Sequence, residues 1–555
     1  EQAVLQVSPQ QIEQLFNPMF SPEAIREAKN NNKYLTTGTP ASPGAASGIV
    51  VFDKESAIKL AGEGLDVIMV RKETSADDFV GMIVSKGILT AHGGKTSHAA
   101  VVTRGKGIPC IVGASDIDFD QKSGSFKVNG ITIKKGDYIS IDGSTGEVYL
   151  GKLKTEIPDI DQPELMQILE WADGIAQLAV WANADTPEDA LKARKLGAKG
   201  IGLCRTEHMF VGADRIHHIR QAVLADKKDP DFKTAIINLL EIQRSDFEGI
   251  LEAMDGLPVV IRLLDIPLHE ILPNYQELLT ETIKREERIL LRRELSSQGE
   301  LVDLTDDMIT ERQRDLNRLK DQLSSLAKSI EVNPMLGKRG VRLGGVIKAE
   351  IYDMQIRAIL EAASNLKRQG KNPKPKIMIP LVSFPRELEI LRERTEIIAS
   401  EIANETGEEP IDYQFGTMIE TPMAAESIDE IAGLVDFLSF GTNDFTQFST
   451  GLSRDDTAQE VIPAYLEKGI IKKDPFVSLY EGVVKIVIRT SDIARSINPE
   501  IETGICGEHG GDPDSVIAIH QKLTYTSAST PRVPLARLAA AQAVLASNQA
   551  EPADI

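Results

Sequence analysis

The sequence is short of cysteine, of long apolar runs and of positive charge, and each deficit narrows the class of protein. It has three cysteines, Cys110, Cys204 and Cys506, which lie far apart and form no CxxC pair. This spacing disfavours a disulfide framework or a zinc ribbon and agrees with a reducing compartment. No apolar segment approaches the roughly 18 residues that cross a bilayer, and no signal peptide is visible. We therefore expect a cytoplasmic protein, or one from an organelle of similar redox state.

The charge is strongly one-sided. Of 555 residues, 62 are Lys or Arg and 83 are Asp or Glu, which gives a formal net charge of −21. A polyanion is a poor partner for nucleic acid or for an anionic membrane, so we expect neither. Any phosphate-bearing substrate must then be held by local basic residues that work against the field of the whole protein.

The first third of the chain changes character twice. Residues 1–35 read as two short helices around a proline-containing turn, a lead-in too small to bury a core. Residues 36–150 contain short β-like runs separated by Gly, Ser and Asp, with one embedded helix, TSHAAVVTRG, which predicts a compact α/β domain. Residues 151–174 carry Pro158 and Pro163 and alternating charge, as a semi-stiff linker does.

From 175 to 548, buried-looking strand runs alternate with amphipathic helices. Eight such units in one stretch predict a parallel sheet closed into a (β/α)₈ TIM barrel, so the fold class is α/β. A charged segment over about 275–330 lies between the third and fourth strands; we interpret it as a solvated helical hairpin rather than a partner-binding element. The predicted strands are 177–184, 200–205, 258–265, 376–381, 414–420, 436–444, 502–508 and 523–529.

Polar side chains follow the predicted barrel strands where each strand ends. In a TIM barrel these ends share one face, and active sites form there. Any one of these residues has an ordinary explanation, such as an ion pair or a small buried thiol, but their convergence on one rim favours a site. They are Arg205, Arg262 near Asp265, Glu420, Asn443, Asp444, Cys506, Glu508 and His509.

The residue types at this rim indicate a chemistry. Two arginines offer planar forks for phosphate or carboxylate. Glu420 and Asp444, without a Cys or His ligand pattern, suit a hard cation such as Mg²⁺. The segment Gly441-Thr442-Asn443-Asp444 can point backbone N–H groups at an anion, and small neighbours leave Cys506 able to face a ligand. We expect a small phosphorylated or carboxylated substrate on a metal, with a proton donor nearby.

A second motif, GGKTSHAA over 93–100, opens the helix of the first domain. Gly-Gly allows a close approach, Thr or Ser can cap, and a helix N-terminus favours an anion such as a phosphate on His98. A P-loop interpretation fails because its first glycine would fall at Leu89. A lone histidine is normally structural. The other histidines keep that interpretation, and His509 stays undecided.

These strings resemble a known family. GGKTSHAAVVTRGKGIPCIVG is similar to the phosphohistidine domain of the enzymes that make or use phosphoenolpyruvate (PEP). GIGLCRTEHMF, NPMLGKRGVRL, GTMIETPMAA, SFGTNDFTQF and GICGEHGGDPDSV resemble the barrel domain of the same enzymes. The resemblance covers nearly the whole chain, from about residue 5 to about 545, and within the family it is to the pyruvate, phosphate dikinases.

The resemblance implies roles for the rim residues and for His98. His98 would carry the phosphoryl group, and Cys506 would protonate the enolate carbon on the way to pyruvate. Arg205 and Arg262 would hold the phosphate of PEP, with Arg339 close by. Mg²⁺ would be the cofactor, with Glu420 and Asp444 as its ligands. The residues that line the substrate would be Gly441, Thr442, Asn443 and Asp444.

The resemblance also implies an organisation. The phosphohistidine domain would swivel on the linker between the barrel and an ATP-grasp nucleotide-binding domain, and the barrel would form a homodimer. No segment of this sequence corresponds to the ATP-grasp domain, and the chain starts at Glu1 rather than Met. We therefore expect a piece of a longer enzyme, or a natural protein that meets such a domain in trans. The sequence departs from the dikinase pattern at His92, Lys95 and Met423.

Several alternatives stay open. PEP synthase would also need an ATP-grasp domain, and the first enzyme of the sugar phosphotransferase system would need a carrier-protein-binding domain before His98. From another class, the chain could be a catalytically idle regulatory or scaffolding relative, which the intact Arg, Glu, Asp, Cys and His set disfavours. The sequence thus predicts a phosphotransferase that interconverts PEP and pyruvate through a phosphohistidine.

Overall fold

The computed structural model describes most of the chain. His98 and most of the predicted TSHAAVVTRG helix lie outside the described residues, so the prediction for His98 stays a prediction. The residues left undescribed are 16, 75–77, 95–98, 100–102, 104–106, 121–123, 157–161, 211–214, 273–274, 298–305, 459 and 551–555.

The lead-in has three short helices and a two-residue strand, rather than the two helices predicted. The helices are Gln2–Gln6, Pro9–Gln14 and Pro22–Asn30, and strand β1 is Met19–Phe20. Val4 and Ile12 are buried in an apolar cluster with side chains of the last helix of the chain, Val533–Ala550. The lead-in therefore packs on that helix, which its short apolar runs did not predict.

The next 120 residues or so form a mixed sheet of eight strands in the order β2-β12-β11-β4-β5-β6-β7-β3. Strands β4 to β7 are parallel, and helices Lys54–Gly62 and Phe79–Val84 connect them. Three further strands, β8 to β10, form a small antiparallel sheet. The strands are β2 Tyr34–Thr37, β3 Thr39–Ser42, β4 Ala45–Val51, β5 Val67–Arg71, β6 Gly87–Thr90, β7 Cys110–Val112, β8 Asp118–Asp120, β9 Ser125–Val128, β10 Ile131–Lys134, β11 Tyr138–Asp142 and β12 Glu147–Leu150.

The predicted linker, 151–174, contains regular structure. Strand β13, Thr155–Glu156, pairs antiparallel with β1. The helix Pro163–Asp173 buries Leu165 and Leu169 in the same cluster that holds the last helix. Its apolar spacing gives it one buried face, so this helix packs on the last helix rather than connecting two bodies as an extended segment.

The α/β fold with a closed barrel is confirmed. All eight predicted barrel strands are present, and each pairs in parallel with the next in chain order until the eighth closes on the first. The sixth ends earlier than predicted, because Thr442 already begins a helix. The strands are β14 Ala179–Asn183, β15 Ile201–Arg205, β16 Pro258–Arg262, β17 Lys374–Ile379, β18 Gln414–Ile419, β19 Phe437–Phe440, β20 Glu502–Ile505 and β21 Tyr525–Ser529.

Helices surround the barrel and bury the largest apolar cluster of the described residues against it. None of the described helices is long and apolar enough to cross a membrane. The predicted insert is a pair of helices, Tyr275–Ser297 and Asp306–Ser329, joined by an ion pair between Lys320 and Glu286. The other helices after β14 are Pro187–Lys195, Ile216–Leu224, Pro230–Ala253, Leu268–Ile271, Ala349–Arg368, Pro385–Thr406, Pro422–Glu426, Ile428–Ile431, Thr442–Thr450, Arg454–Thr457, Val461–Glu467, Glu481–Ile497, Pro513–Ile519 and Val533–Ala550.

Candidate active site

The side chains that the sequence predicted at the barrel rim do lie at strand ends. Arg205 ends β15, Arg262 ends β16, Glu420 follows β18 and Cys506 follows β20. Because the strands are parallel, these ends open on one face of the barrel. Contacts between the ends of different strands, described next, bring most of these residues into one pocket.

Three carboxylates form the centre of the pocket. One oxygen each from Asp265, Glu420 and Asp444 lies within 4.8 Å of the other two. Asp265 and Glu420 are buried and Asp444 is half-buried. Burial, followed by the charges of Asp265 and Asp444, raises the pKa of Glu420 well above its usual value. A bound divalent cation would remove that repulsion, and all-oxygen donors suit a hard cation. The cluster therefore fits a metal ion.

Two guanidinium groups surround Asp265. Arg339 donates from Nε to Asp265 Oδ1 at 2.9 Å and from Nη2 to Oδ2 at 2.7 Å. The same Nη2 lies 2.8 Å from Asp444 Oδ2, and Arg262 Nη1 lies 3.1 Å from Asp265 Oδ2. Burial alone would raise the pKa of Asp265, but the charges of Arg339 and Arg262 lower it below its usual value. Asp265 thus stays ionised and fixes both arginines.

Glu207 is a site residue that the sequence did not single out. It lies in the short 3₁₀ turn Thr206–Phe210, directly after Arg205, and its carboxylate pairs with Nη2 of Arg262. Burial raises the pKa of Glu207, and among the described residues its Oε2 has no hydrogen-bond partner. The sequence could have indicated Glu207 as a site residue through its position in the CRTEHMF string, two residues after Arg205. Glu207 and Asp265 together hold Arg262 from two sides.

Arg205 is held by a different carboxylate, Asp185, which follows β14. Asp185 Oδ1 accepts the backbone N–H of Arg205 at 2.6 Å, and its Oδ2 lies 3.8 Å from Arg205 Nη1. Its Oδ2 also lies 2.7 Å from Nδ1 of His208. The sequence left His208 as a structural histidine and did not name Asp185. Arg205 therefore lies at the rim, with no ion pair to the three central carboxylates.

The predicted anion-binding segment is the start of the helix Thr442–Thr450, which places free backbone N–H groups at the rim. Gly441 precedes it, and a Cβ there would lie 2.6 Å from Met418 Sδ and 2.8 Å from Glu420 Oε2. Only glycine fits this close approach. Asn443 Oδ1 accepts the backbone N–H of Glu508 at 3.0 Å, which ties the end of β19 to the end of β20.

His509 has a structural role. Its Nε2 lies 2.9 Å from the carbonyl oxygen of Pro475 and its Nδ1 lies 2.8 Å from Thr442 Oγ1. Because a carbonyl only accepts, Nε2 carries the hydrogen and Nδ1 accepts from the threonine hydroxyl. Burial lowers the pKa of His509, so the ring stays neutral. Both nitrogens are occupied within the protein, which resolves the choice that the sequence left open.

Cys506 is buried at the mouth of the barrel, with its Sγ 3.7 Å from the carbonyl oxygen of Phe440. Burial raises the pKa of Cys506 to about 11. The thiol therefore keeps its proton near neutral pH. A proton donor needs this protonated form, whereas a nucleophilic cysteine reacts as the thiolate. Beneath it, the ring of Tyr525 lies across Gly504, where a Cβ would be 2.4 Å from the ring.

Comparison with known families identifies the class. Residues 161–545 match the family described as PEP-utilising enzyme, PEP-binding domain, and residues 65–146 match PEP-utilising enzyme, mobile domain. The first match covers well over half of the chain. The protein belongs to the PEP-utilising enzymes.

Its curated relatives include pyruvate, phosphate dikinases. The chain is 47% identical over 548 residues to pyruvate, phosphate dikinase 1, chloroplastic, of Arabidopsis thaliana, which covers 98% of this chain and 53% of the relative. It is 45% identical over 562 residues to the pyruvate, phosphate dikinase of Rhizobium meliloti (strain 1021), covering 100% of this chain and 58% of the relative. The chain thus spans a little over half the length of the curated relatives it matches.

Proposed function

We propose that this chain carries the PEP/pyruvate half of a pyruvate, phosphate dikinase reaction, with the phosphoryl group carried on His98. The observation that supports this most directly is the pocket itself. Arg262, Arg339 and three carboxylates meet at the carboxyl ends of the barrel strands, beside a protonated thiol. Such a pocket can hold an anionic substrate, neutralise charge on it and deliver one proton.

In the proposed forward step, the bond between phosphorus and the enol oxygen of PEP breaks and a bond from phosphorus to an imidazole nitrogen of His98 forms. The oxygen keeps the electron pair, which leaves the enolate of pyruvate. The methylene carbon then takes the proton of Cys506, and the resulting thiolate regains a proton from solvent once pyruvate has left. Carbon protonation from a buried thiol excludes water from the enolate.

The arginines and carboxylates position the substrate. Arg205 and Arg262 are proposed to hold the phosphate, and Glu207, Asp185 and Asp265 fix their orientation. Gly441, Thr442, Asn443 and Asp444 are proposed to line the substrate. The backbone N–H groups at the start of the helix Thr442–Thr450 belong to these residues and are proposed to face the substrate.

Mg²⁺ is the proposed cofactor, and Glu420 and Asp444 are its proposed ligands. When bound there, the ion would supply positive charge to the phosphate and to the enolate oxygen. Glu420 Oε1 accepts the backbone N–H of Leu381 at 2.6 Å, which leaves its Oε2 as the candidate ligand atom. By contrast, both oxygens of Asp444 already accept hydrogen bonds, from Arg339 and from Gln447. The raised pKa of Glu420 agrees with a side chain whose ionised form a bound cation would favour.

The wider organisation is also a proposal. We propose residues 36–150 as a swivelling phosphohistidine domain, 151–174 as its linker to the barrel, and 175–548 as the PEP/pyruvate-binding barrel, with 1–35 as the lead-in. We propose an ATP-grasp domain, in cis or in trans, as the partner that completes the reaction. A homodimer through the barrel and a cytoplasmic or similarly reducing location complete the proposal. The wide spacing of the three buried cysteines along the chain agrees with such a location.

The direct test uses the whole chain with Mg²⁺ and PEP labelled in its phosphoryl group. We expect acid-labile label on the protein together with release of one pyruvate. His98→Ala should take no label, whereas His217→Ala, at an exposed histidine of the helix Ile216–Leu224, should be labelled as the parent is. An unlabelled parent chain would favour the idle relative. Turnover with ATP and phosphate by this chain alone would contradict the need for a nucleotide-binding domain.

A further inference from the structure

Asp185 is shared between two cationic groups at the rim of the pocket. Its Oδ1 accepts the backbone N–H of Arg205 at 2.6 Å, so the end of β15 is anchored to the loop after β14. Its Oδ2 faces both the guanidinium of Arg205, at 3.8 Å, and Nδ1 of His208, at 2.7 Å. The imidazole holds the nearer position, so the guanidinium makes no hydrogen bond to Asp185.

His208 lies where it can gain and lose a proton. It is the third residue of the 3₁₀ turn Thr206–Phe210, and 54% of its side chain is exposed. The groups that act on it electrostatically are Asp185 and Glu207, which favour the cation, and Arg205, which opposes it. The hydrogen bond to Asp185 raises the pKa of His208, against a smaller opposing effect of burial. The cation is therefore favoured over a wider pH range than in a free histidine.

One carboxylate cannot neutralise two cations fully. When His208 is charged, the imidazolium neutralises most of the negative charge of Asp185. The guanidinium of Arg205 is then available to another anion. When His208 is neutral, the charge of Asp185 acts on Arg205 alone and competes with that anion. The hydrogen bond from the backbone N–H of Arg205 goes to Oδ1 of Asp185, not to the oxygen that faces His208, so it does not require a charged imidazole.

We propose that Asp185 and His208 are positioning residues for Arg205, and that protonated His208 frees the Arg205 guanidinium for the phosphate of the substrate. This proposal rests on the proposed function, in which Arg205 binds PEP. Neither residue touches the reacting atoms in this account. Their effect is therefore on substrate affinity and not on the rate of the step that follows binding.

The experiment measures the dissociation constant of PEP in the presence of Mg²⁺, using the full chain with His98→Ala so that no phosphoryl transfer occurs. The background is compared with the same chain carrying His208→Gln from pH 6 to pH 9. The ratio of the two dissociation constants cancels the ionisation of PEP itself. Because a partly exposed ion pair contributes up to about 1 kcal/mol, we expect the variant to bind about two- to fivefold more weakly at pH 6. The ratio should fall to one at pH 9.

Two further variants sharpen the test. Asp185→Asn keeps an oxygen for the Arg205 N–H but removes the charge, so its affinity at pH 6 should be at least that of the background. In the Asp185→Asn chain, adding His208→Gln should leave the dissociation constant unchanged at every pH. His217→Gln, at an exposed histidine on another helix, should give a ratio of one throughout. In the chain with His98 intact, the first-order rate of pyruvate formation at saturating PEP should be unchanged by His208→Gln.

The outcomes separate the two proposals. A ratio of one at every pH, or a ratio above one that does not vary with pH, overturns the role of His208. A large fall in the saturated rate with no change in affinity overturns it as well, because His208 would then act on the chemical step. If the background chain binds no PEP at any pH, it is the proposed function that fails.

Discussion

Arg339 and Asp265 form a two-point ion pair: Nε and Nη2 of the arginine lie 2.9 Å and 2.7 Å from the two oxygens of the carboxylate. The residues are 74 positions apart, on either side of the helical insert. Their side chains are 5% and 0% exposed, so the pair is screened from water. Arg339 also contacts Asp444 and Asp265 also contacts Arg262, so this pair connects the two sides of the pocket.

The first prediction concerns that pair. Asp265→Asn leaves two buried guanidinium groups short of a counter-charge, so the free energy of unfolding should fall by about 3–5 kcal/mol. Urea denaturation measures this. Glu389→Gln, which breaks an exposed pair with Arg386, is the matched control and should cost less than about 1 kcal/mol. Equal losses in the two variants would mean that Asp265 does not stabilise the pocket.

The second prediction concerns the three carboxylates. Mg²⁺ at a hundred times its dissociation constant should raise the free energy of unfolding by about 2.7 kcal/mol, because the ion binds only the folded chain. A chelator should remove the increase. At the same Mg²⁺ concentration, Glu420→Gln and Asp444→Asn should show much less of it, whereas Glu426→Gln, at an exposed residue paired with Arg489, should keep it. An undiminished increase in Glu420→Gln would place the ion elsewhere.

The third prediction concerns the thiol. Cys506→Ala should abolish pyruvate formation from PEP, because no other proton donor has been assigned to the enolate carbon. Binding of Mg²⁺, measured by calorimetry, should survive, since the sulfur is not a ligand in our account. Cys204→Ala removes another buried thiol, which belongs to strand β15 and packs in the apolar cluster that the helices bury against the barrel, and serves as the control. Loss of Mg²⁺ binding in Cys506→Ala would mean that the thiol is misassigned.

The fourth prediction concerns His509 and pH. Its pKa is lowered by burial, so between that pKa and the ordinary value of about 6.5 the unfolded chain binds a proton that the folded chain does not. The free energy of unfolding should therefore fall as the pH drops below about 6.5, by up to about 1.4 kcal/mol per pH unit for one proton. His509→Gln should lack this part of the slope.

Denaturation at pH 5, 6 and 7 checks the fourth prediction, with His217→Gln, at an exposed histidine, as the control. His509→Gln should be less stable than the parent chain at pH 7, because the substitution disturbs the hydrogen bonds to Thr442 and Pro475. A slope in His509→Gln equal to that of the parent chain would show that another group takes up the proton.

Much of the fold could be predicted from the sequence because the spacing of apolar residues along short segments indicates where strands and helices form. Eight apolar runs of strand length, each followed by an amphipathic helix, have few alternatives to a closed parallel barrel. The packing of the lead-in, residues 1–35, was harder to predict. Val4 and Ile12 lie in runs too short to carry a periodic signal, and they are buried only because the last helix of the chain lies beside them.

The candidate site also has features that the sequence predicts and features that depend on the tertiary structure. The sequence by itself determined that Arg205, Arg262, Glu420, Asp444 and Cys506 would share one face, because parallel strands of a barrel all end there. Only the tertiary structure decided which charges meet. Arg339 reaches Asp444 across 105 residues, and His208 reaches Asp185 from a different strand end. Such pairings depend on the distance between side chains after the barrel has closed, and no local pattern of residues encodes that distance.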